Sequence, residues 1–216
     1  MNGGMTMGRK VIITIDRQYG SGGRSIGEQL AKDLGIPFYN KEITEMAAKQ
    51  SGMSKEVFDK VDETAASSLL YSVVTGAYMF GNHVAPTLDL PINDKLFIAQ
   101  TEVIKKIAKE GSCVIVGRCA DYILRDDPSV INIFIHADLS TRLKRVINEY
   151  QLGAEKAEAS LNKRDKSRAN YYHYYSGEKW GYSFNYKLCL DSGILGIEGS
   201  VAVIKAFIKE RNDRLE

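Results

Sequence analysis

The sequence predicts an α/β fold in which a parallel sheet is covered by helices on both faces. Three observations predict it. Short, continuously apolar runs rich in Val and Ile have the character of strands buried on both sides. Segments with an apolar residue every three or four positions separate them, as expected of helices that cross between parallel strands. The composition, 44% hydrophobic and 26% charged over 216 residues, is that of a globular chain long enough to bury a core.

The elements follow in order. Residues 10–16 (KVIITID) are a β-branched run that stops at an acid, the first strand. A glycine-rich turn comes next, then residues 25–34, whose Ile26, Leu30 and Leu34 have helical spacing. Residues 36–39 give a short second strand after Gly35, and three or four helical segments fill 41–110. Residues 112–116 (SCVIV) and 130–136 (VINIFIH) are the third and fourth strands. Leu139, Leu143, Val146, Ile147 and Tyr150 then mark one helix face. Residues 186–190 (YKLCL) are the fifth strand, and an amphipathic helix from about 198 closes the chain through Val201, Ile204 and Ile208. Two stretches interrupt the alternation: the helical lobe 41–110 and the polar, tyrosine-rich segment 153–181. An α/β core with two helical excursions suits an enzyme that closes over its substrates.

Charge and composition exclude several functions. Lys plus Arg is 29 and Asp plus Glu is 27, a net +2 that excludes nucleic-acid binding driven by bulk charge. Cys113, Cys119 and Cys189 are an odd number with no C-x-x-C pair, which argues against a disulfide framework or zinc knuckle and for a reducing compartment. No apolar run reaches the roughly 18 residues of a membrane span; the richest, 68–81, is short and carries Ser, Thr, Gly and Tyr. The start MNGGMTMGRK has no separate apolar region or cleavage site. The expectation is a cytoplasmic protein without membrane or nucleic-acid partners. His83 and His173 lack Cys or carboxylate partners at metal spacing, His136 ends a strand and reads as structural rather than catalytic, and no G-x-S-x-G elbow is present.

The main chemical signal is DRQYGSGGRS, residues 16–25, between a buried strand and a helix. Gly20, Gly22 and Gly23 remove side chains where backbone turns sharply and approaches a ligand. Successive N–H groups, with a helix N-terminus behind them, cradle an anion. Gly20 to Ser25, Ser21 included, are thus expected to form a phosphate loop, with Arg24 on the β/γ-phosphates and the Ser25 hydroxyl on Mg²⁺; the other reading is a plain glycine-rich turn joining strand to helix. The pattern G-x-x-x-x-G-K-[ST] is met at Gly23 and Ser25 but not at Gln18 or Arg24.

Gly117-Arg118 follows the third strand, so Arg118 belongs to the rim where open α/β sheets bind ligands; the alternative is a surface Arg paired with Asp121. Residues 163–168 (KRDKSR) hold four bases and one acid. Arg164 and Arg168 are a like-charge i,i+4 pair, which is unfavourable unless an anion lies between them; a solvated helix face is the other reading. The tract YYHYYSGEKWGY, with the single Trp, could stack a nucleobase or single-stranded nucleic acid, but reads rather as lobe packing or as a homodimer surface.

Together, VIITIDRQYGSGGRSIGEQLAKDLGIPFYNKE, VIVGRCADYIL, INIFIHADLSTRLKRV, KRDKSRANYYHYYSGEKWGY and YKLCLDSGILGIEGSV resemble the cytidylate kinase-like family, a branch of the P-loop nucleoside monophosphate kinases. The resemblance implies a single three-layer P-loop NTPase domain built on a five-stranded parallel sheet. Its core would be 8–40, 111–152 and 183–216, with a helical acceptor-binding insertion at 41–110 and a helical lid at 153–182. It implies ATP and Mg²⁺ as cofactors, a small-molecule acceptor such as CMP or dCMP, and acceptor contacts from Arg118, Arg164, Asp165 and Arg168. The chain departs from cytidylate kinases proper at Arg24, where they have Lys, and at Cys119, where they have Asp. Tyr39-Asn40-Lys41-Glu42 stands where their Ser-Gly-x-x-Tyr-Arg acceptor signature belongs, which makes Lys41 a substrate-binding candidate. Two other readings fit the residues: a kinase for a different small molecule, and a nucleotide-binding regulatory protein without turnover.

Overall fold

The computed structural model describes residues 9–51 and 91–214. The apolar stretch 68–81, His83 and the middle of the expected helical lobe lie outside the described residues. The sheet is built from β1 (Ile12–Arg17), β2 (Phe38–Tyr39), β3 (Cys113–Val116), β4 (Val130–His136) and β5 (Leu188–Asp191). All pairings are parallel, and the order is β2-β3-β1-β4-β5. The described helices are α1 (Gly23–Leu34), α2 (Lys41–Ser51), α3 (Ile92–Glu110), α4 (Ala120–Ile123), α5 (Leu139–Asn148), α6 (Ala154–Ser176) and α7 (Ser192–Asp213).

Alternation along the strands divides the core. Ile13 and Ile15 of β1, with Val114, Val116, Ile133 and Ile135, pack on Ile26 and Leu30 of α1 and Val201, Ile204 and Ile208 of α7. Ile12, Cys113 and Ile115 point the other way, onto Ile43 and Ala47 of α2 and Val103, Ile104 and Ile107 of α3. Both strand faces are dry, which is why these strands read as unbroken apolar runs. Each buried Ile contributes about 1.5–3 kcal/mol. The order also puts β1 in the middle, so the loop leaving it emerges at the centre of the sheet's carboxyl rim.

Two elements differ from expectation. Helix α7 begins at Ser192, well before residue 198, because the Asp191 carboxylate caps it by accepting from Gly193 N–H at 2.8 Å. A non-helical Gly196 (φ 67°, ψ −173°) then kinks it, which explains why apolar periodicity shows only beyond that point. In α5, Val146 is fully buried, but Leu139 and Tyr150 at the ends of the expected apolar face are exposed.

The tyrosine-rich tract packs within the chain. Its first six residues, 171–176, end α6, where Tyr171, Tyr172 and Tyr175 are buried. Tyr175 stacks on Phe97 of α3 with ring centroids 3.8 Å apart, and its hydroxyl donates to Asp94 Oδ1 at 3.1 Å. Tyr171 OH donates to Gln100 Oε1 at 3.2 Å. These contacts tie the C-terminal half of α6 to α3. No disulfide joins the three cysteines, and no described helix is long and apolar enough to cross a membrane.

Candidate functional site

The loop between β1 and α1 turns at Gly20 (φ 78°) and Gly22 (φ 79°), in the left-handed region open to glycine. Gly23 is required by space: a Cβ there would lie 2.5 Å from Arg17 Cβ. The helix starts at Gly23, so Arg24 and Ser25 stand on its first turn, both exposed. Ser21 is turned away. It is fully buried, its hydroxyl donates to Gln18 O at 2.9 Å, and its N–H donates to the same oxygen at 3.2 Å.

Neighbouring elements hold this loop through its backbone. Arg145 Nη1 of α5 donates to Gly20 O at 2.8 Å, and Arg168 Nη1 of α6 donates to Arg17 O at 3.0 Å. Asp165 accepts from Tyr19 N–H at 2.7 Å through Oδ1 and from Arg142 Nη1 at 2.6 Å through Oδ2. Asp165, implied by the resemblance to meet the acceptor, is therefore engaged with the loop and an α5 arginine.

A cleft of about 660 Å³ opens over the loop. Gly20, Gly22, Gly23, Arg24 and Ser25 line its floor, joined by Lys41 at the start of α2, Arg118 after β3, and Arg164 and Arg168 of α6. Of the expected site residues, only Ser21 and Asp165 are missing from this lining. Arg17 is also there, at the end of β1. Five arginines and Lys41 thus face Glu28 as the acidic residue of the lining. Cations crowded together repel unless an anion joins them, so the cleft has the electrostatics of a polyphosphate site. The Tyr19 ring relieves part of the crowding, with the Arg164 and Arg168 guanidinium carbons 4.6 and 5.8 Å from its centroid. A triphosphate fits the loop's turned N–H groups and this charge, and the Ser25 hydroxyl fits a metal ion carried by that triphosphate. Among the described residues, no group of three His, Cys, Asp or Glu side chains is placed to hold a metal by itself.

Arg118 is held under strain. Gly117, Arg118 and Cys119 have φ of 75°, 62° and 52°, three left-handed residues in succession. For a non-glycine residue this costs about 1–2 kcal/mol. Arg118 is 4% exposed, and its Nη2 donates to Thr44 Oγ1 of α2 at 3.4 Å. Strain of this kind collects where a side chain must be aimed.

Behind Arg118 lies a pair of buried carboxyls. Tyr172 OH donates to Asp121 Oδ2 at 2.8 Å, and Tyr186 OH donates to Asp16 Oδ2 at 3.3 Å. Burial, then the neighbouring Asp16 charge, pushes the Asp121 carboxyl up to about 7. The Tyr172 and Tyr186 hydroxyls are raised by burial first and these carboxylates second.

Arg17, Tyr19, Arg142 and Arg145 are absent from the sequence-derived site. Arg17 lies inside the quoted motif, and Arg142 and Arg145 have the i,i+3 spacing of one helix face. Only that spacing could have found the α5 pair, because nothing local says that this face covers the loop.

A parallel sheet in this order, with a glycine loop after its central strand and a basic cleft above, defines a P-loop phosphotransferase of the kinase class. The chain belongs to the cytidylate kinase-like family, whose model matches residues 12–194. It is 26% identical over 200 residues to a cytidylate kinase of Thermococcus kodakarensis, covering 92% of this chain and 88% of that one. A solved protein from Eubacterium ventriosum has a TM-score of 0.67 at 29% identity, covering 93% of this chain and 99% of that chain. A shikimate kinase of Bacteroides thetaiotaomicron has a TM-score of 0.55 at 12% identity, covering 93% and 99%. That last likeness concerns the fold alone.

Proposed function

We propose that this protein transfers the γ-phosphoryl group of Mg·ATP to a small phosphorylated acceptor, a nucleoside monophosphate such as CMP or dCMP. The observation that carries the reading is the convergence of Arg24, Arg118, Arg164 and Arg168 with the glycine loop in one cleft. Transfer between two phosphates needs positioning and charge neutralisation more than covalent help. Backbone N–H groups of Gly20 and of Gly22 to Ser25, with the Arg24 side chain, would hold the donor phosphates, the Ser21 N–H being engaged with Gln18 O. Ser25 and water would hold Mg²⁺, which supplies charge neutralisation on the donor when bound. Arg118, Arg164 and Arg168 would clamp the acceptor phosphate, with Lys41 at its side. That phosphate is already a competent nucleophile, so no general base is assigned. In this reading α6 is the lid, 41–110 the acceptor region and the remainder the core of one domain; closure keeps water from consuming ATP.

The test is ADP release from Mg·ATP with CMP, dCMP, UMP, AMP, GMP and non-phosphorylated acceptors in parallel. Turnover with CMP or dCMP supports the reading. Turnover only with a non-phosphorylated acceptor replaces it, and ATP binding without any turnover favours a regulatory protein.

A further inference from the structure

Strand β5 ends the sheet on one side. It pairs with β4, and among the described residues no strand lies beyond it. The outer main-chain N–H and C=O groups of such an edge are a template for another strand. The segment reads Lys187-Leu188-Cys189-Leu190-Asp191. Leu190 is buried in the core shared with α1 and α7, and Leu188 packs against that core. By alternation Cys189 and Asp191 stand on the opposite face, where they line a cavity of about 420 Å³ with Phe134 and His136. Lys187, directly before the strand, is exposed and gives one donor of its ammonium group to Val130 O.

This segment is complementary to itself. Laid antiparallel against a second copy, with Cys189 on the two-fold axis, it sets Lys187 opposite the partner's Asp191 and Leu188 opposite the partner's Leu190. The flanks obey the same centre. Phe184 and Ile194 lie equally far from Cys189 along the chain. They are 84% and 83% exposed, the two most exposed large apolar side chains among the described residues. Phe184 sits in the short turn Ser183–Asn185 before β5, and Ile194 in the first turn of α7 after it. Any other register moves Lys187 off the acid and Phe184 off the isoleucine together, so charge and apolar pattern specify one alignment. An edge lysine ordinarily repels a second edge. Here an acid at the matching position turns that repulsion into attraction.

We infer that β5 pairs antiparallel with β5 of a second copy of this chain, joining two five-stranded sheets across a two-fold axis at Cys189. Lys187, Phe184 and Cys189 are all outside the lining of the phosphate cleft, so both clefts of the dimer stay open.

Sedimentation of the full chain, with and without a short bismaleimide, tests it. The wild type should be a dimer. Residues opposite each other in an antiparallel pair have Cα atoms about 4.5–5.5 Å apart. The two Cys189 thiols should therefore add across the two double bonds of one bismaleimide and tie the dimer covalently. Cys189→Ser should remove that product and keep the dimer, because Cys113 and Cys119 are buried. Lys187→Glu should weaken dimerisation about tenfold or more, since the like charges meet at both symmetric positions. Lys187→Arg should preserve it. Asp191 is left in place because it caps α7. If Lys187→Glu fails to fold, Phe184→Ser, at a side chain already in water, should loosen the dimer to a similar degree. A monomeric wild type overturns the inference and leaves the edge to solvent or to a strand of a different protein. A dimer that neither Lys187→Glu nor Phe184→Ser weakens overturns it too, as does a dimer whose covalent product does not need Cys189.

Discussion

Arg24 stands exposed on the first turn of α1, where a compact ammonium would satisfy the usual loop pattern. Its planar fork can hold two phosphate oxygens at once. Arg24→Ala should lower turnover by at least about 100-fold, the scale on which a donor aimed at developing charge acts. Because the side chain is exposed, melting should shift little, and near-normal turnover in that variant would remove Arg24 from the donor site. Asp121 gives a second prediction at this scale. An unfolded Asp titrates near ~3.9, whereas the folded carboxyl holds its proton up to about 7. Between those values the folded state binds more protons, so stability is fullest at the acid end and is lost as pH rises through the window. At ~1.4 kcal/mol per unit, the loss is at most about 4 kcal/mol. Asp121→Asn keeps an acceptor for Tyr172 OH without the charge. Its melting temperature should fall less than the wild type's between pH 5 and pH 8, and parallel curves would place the effect elsewhere.

Helices α5 and α6 meet at Arg142 and Asp165, with side chains 10% and 17% exposed. Removing one partner should cost between the ~1 kcal/mol of a surface pair and the ~3–5 kcal/mol of a fully buried one. Asp165→Ala also deletes the acceptor of Tyr19 N–H, so thermal melts should drop and the KM for ATP should rise more than kcat falls. An unchanged KM would separate the α6 contact from loop shape. This element scale is also where the sequence stopped being legible. The strands were readable to within two residues because the central ones, buried on both faces, have few polar positions, such as Thr14 and Asn132, between apolar ones. The glycine loop, Arg118 and the α6 arginines were readable because each belongs to a short local pattern. Asp165 belonged to such a pattern too, but its direction depends on where α5 lies. The start of α7 was hidden because a side-chain cap at Asp191 sets it, whereas Gly193 and Gly196 dilute the apolar spacing.

Over the whole molecule a net +2 conceals a cleft where five arginines and Lys41 gather. A ligand that joins such a cleft stabilises the fold by mass action, by ~2.7 kcal/mol at one hundred times its Kd. For a chain of this size Mg·ATP at that excess should raise the melting temperature by about 5–10 °C. Arg24→Ala should abolish most of that rise, and an equal rise in both proteins would put the nucleotide outside the loop. The loop itself is braced at Arg17 O, Tyr19 N–H and Gly20 O, and every one of these is a main-chain atom. A brace that reads only main chain is indifferent to what the loop's own side chains are. That brace places no demand on the side chain at position 24, where Arg stands exposed, whereas Gln18 is itself tied through its Oε1, which accepts from Ala137 N–H at 3.2 Å; such a chain can drift away from a consensus where the side chain is exposed while keeping the geometry the consensus describes.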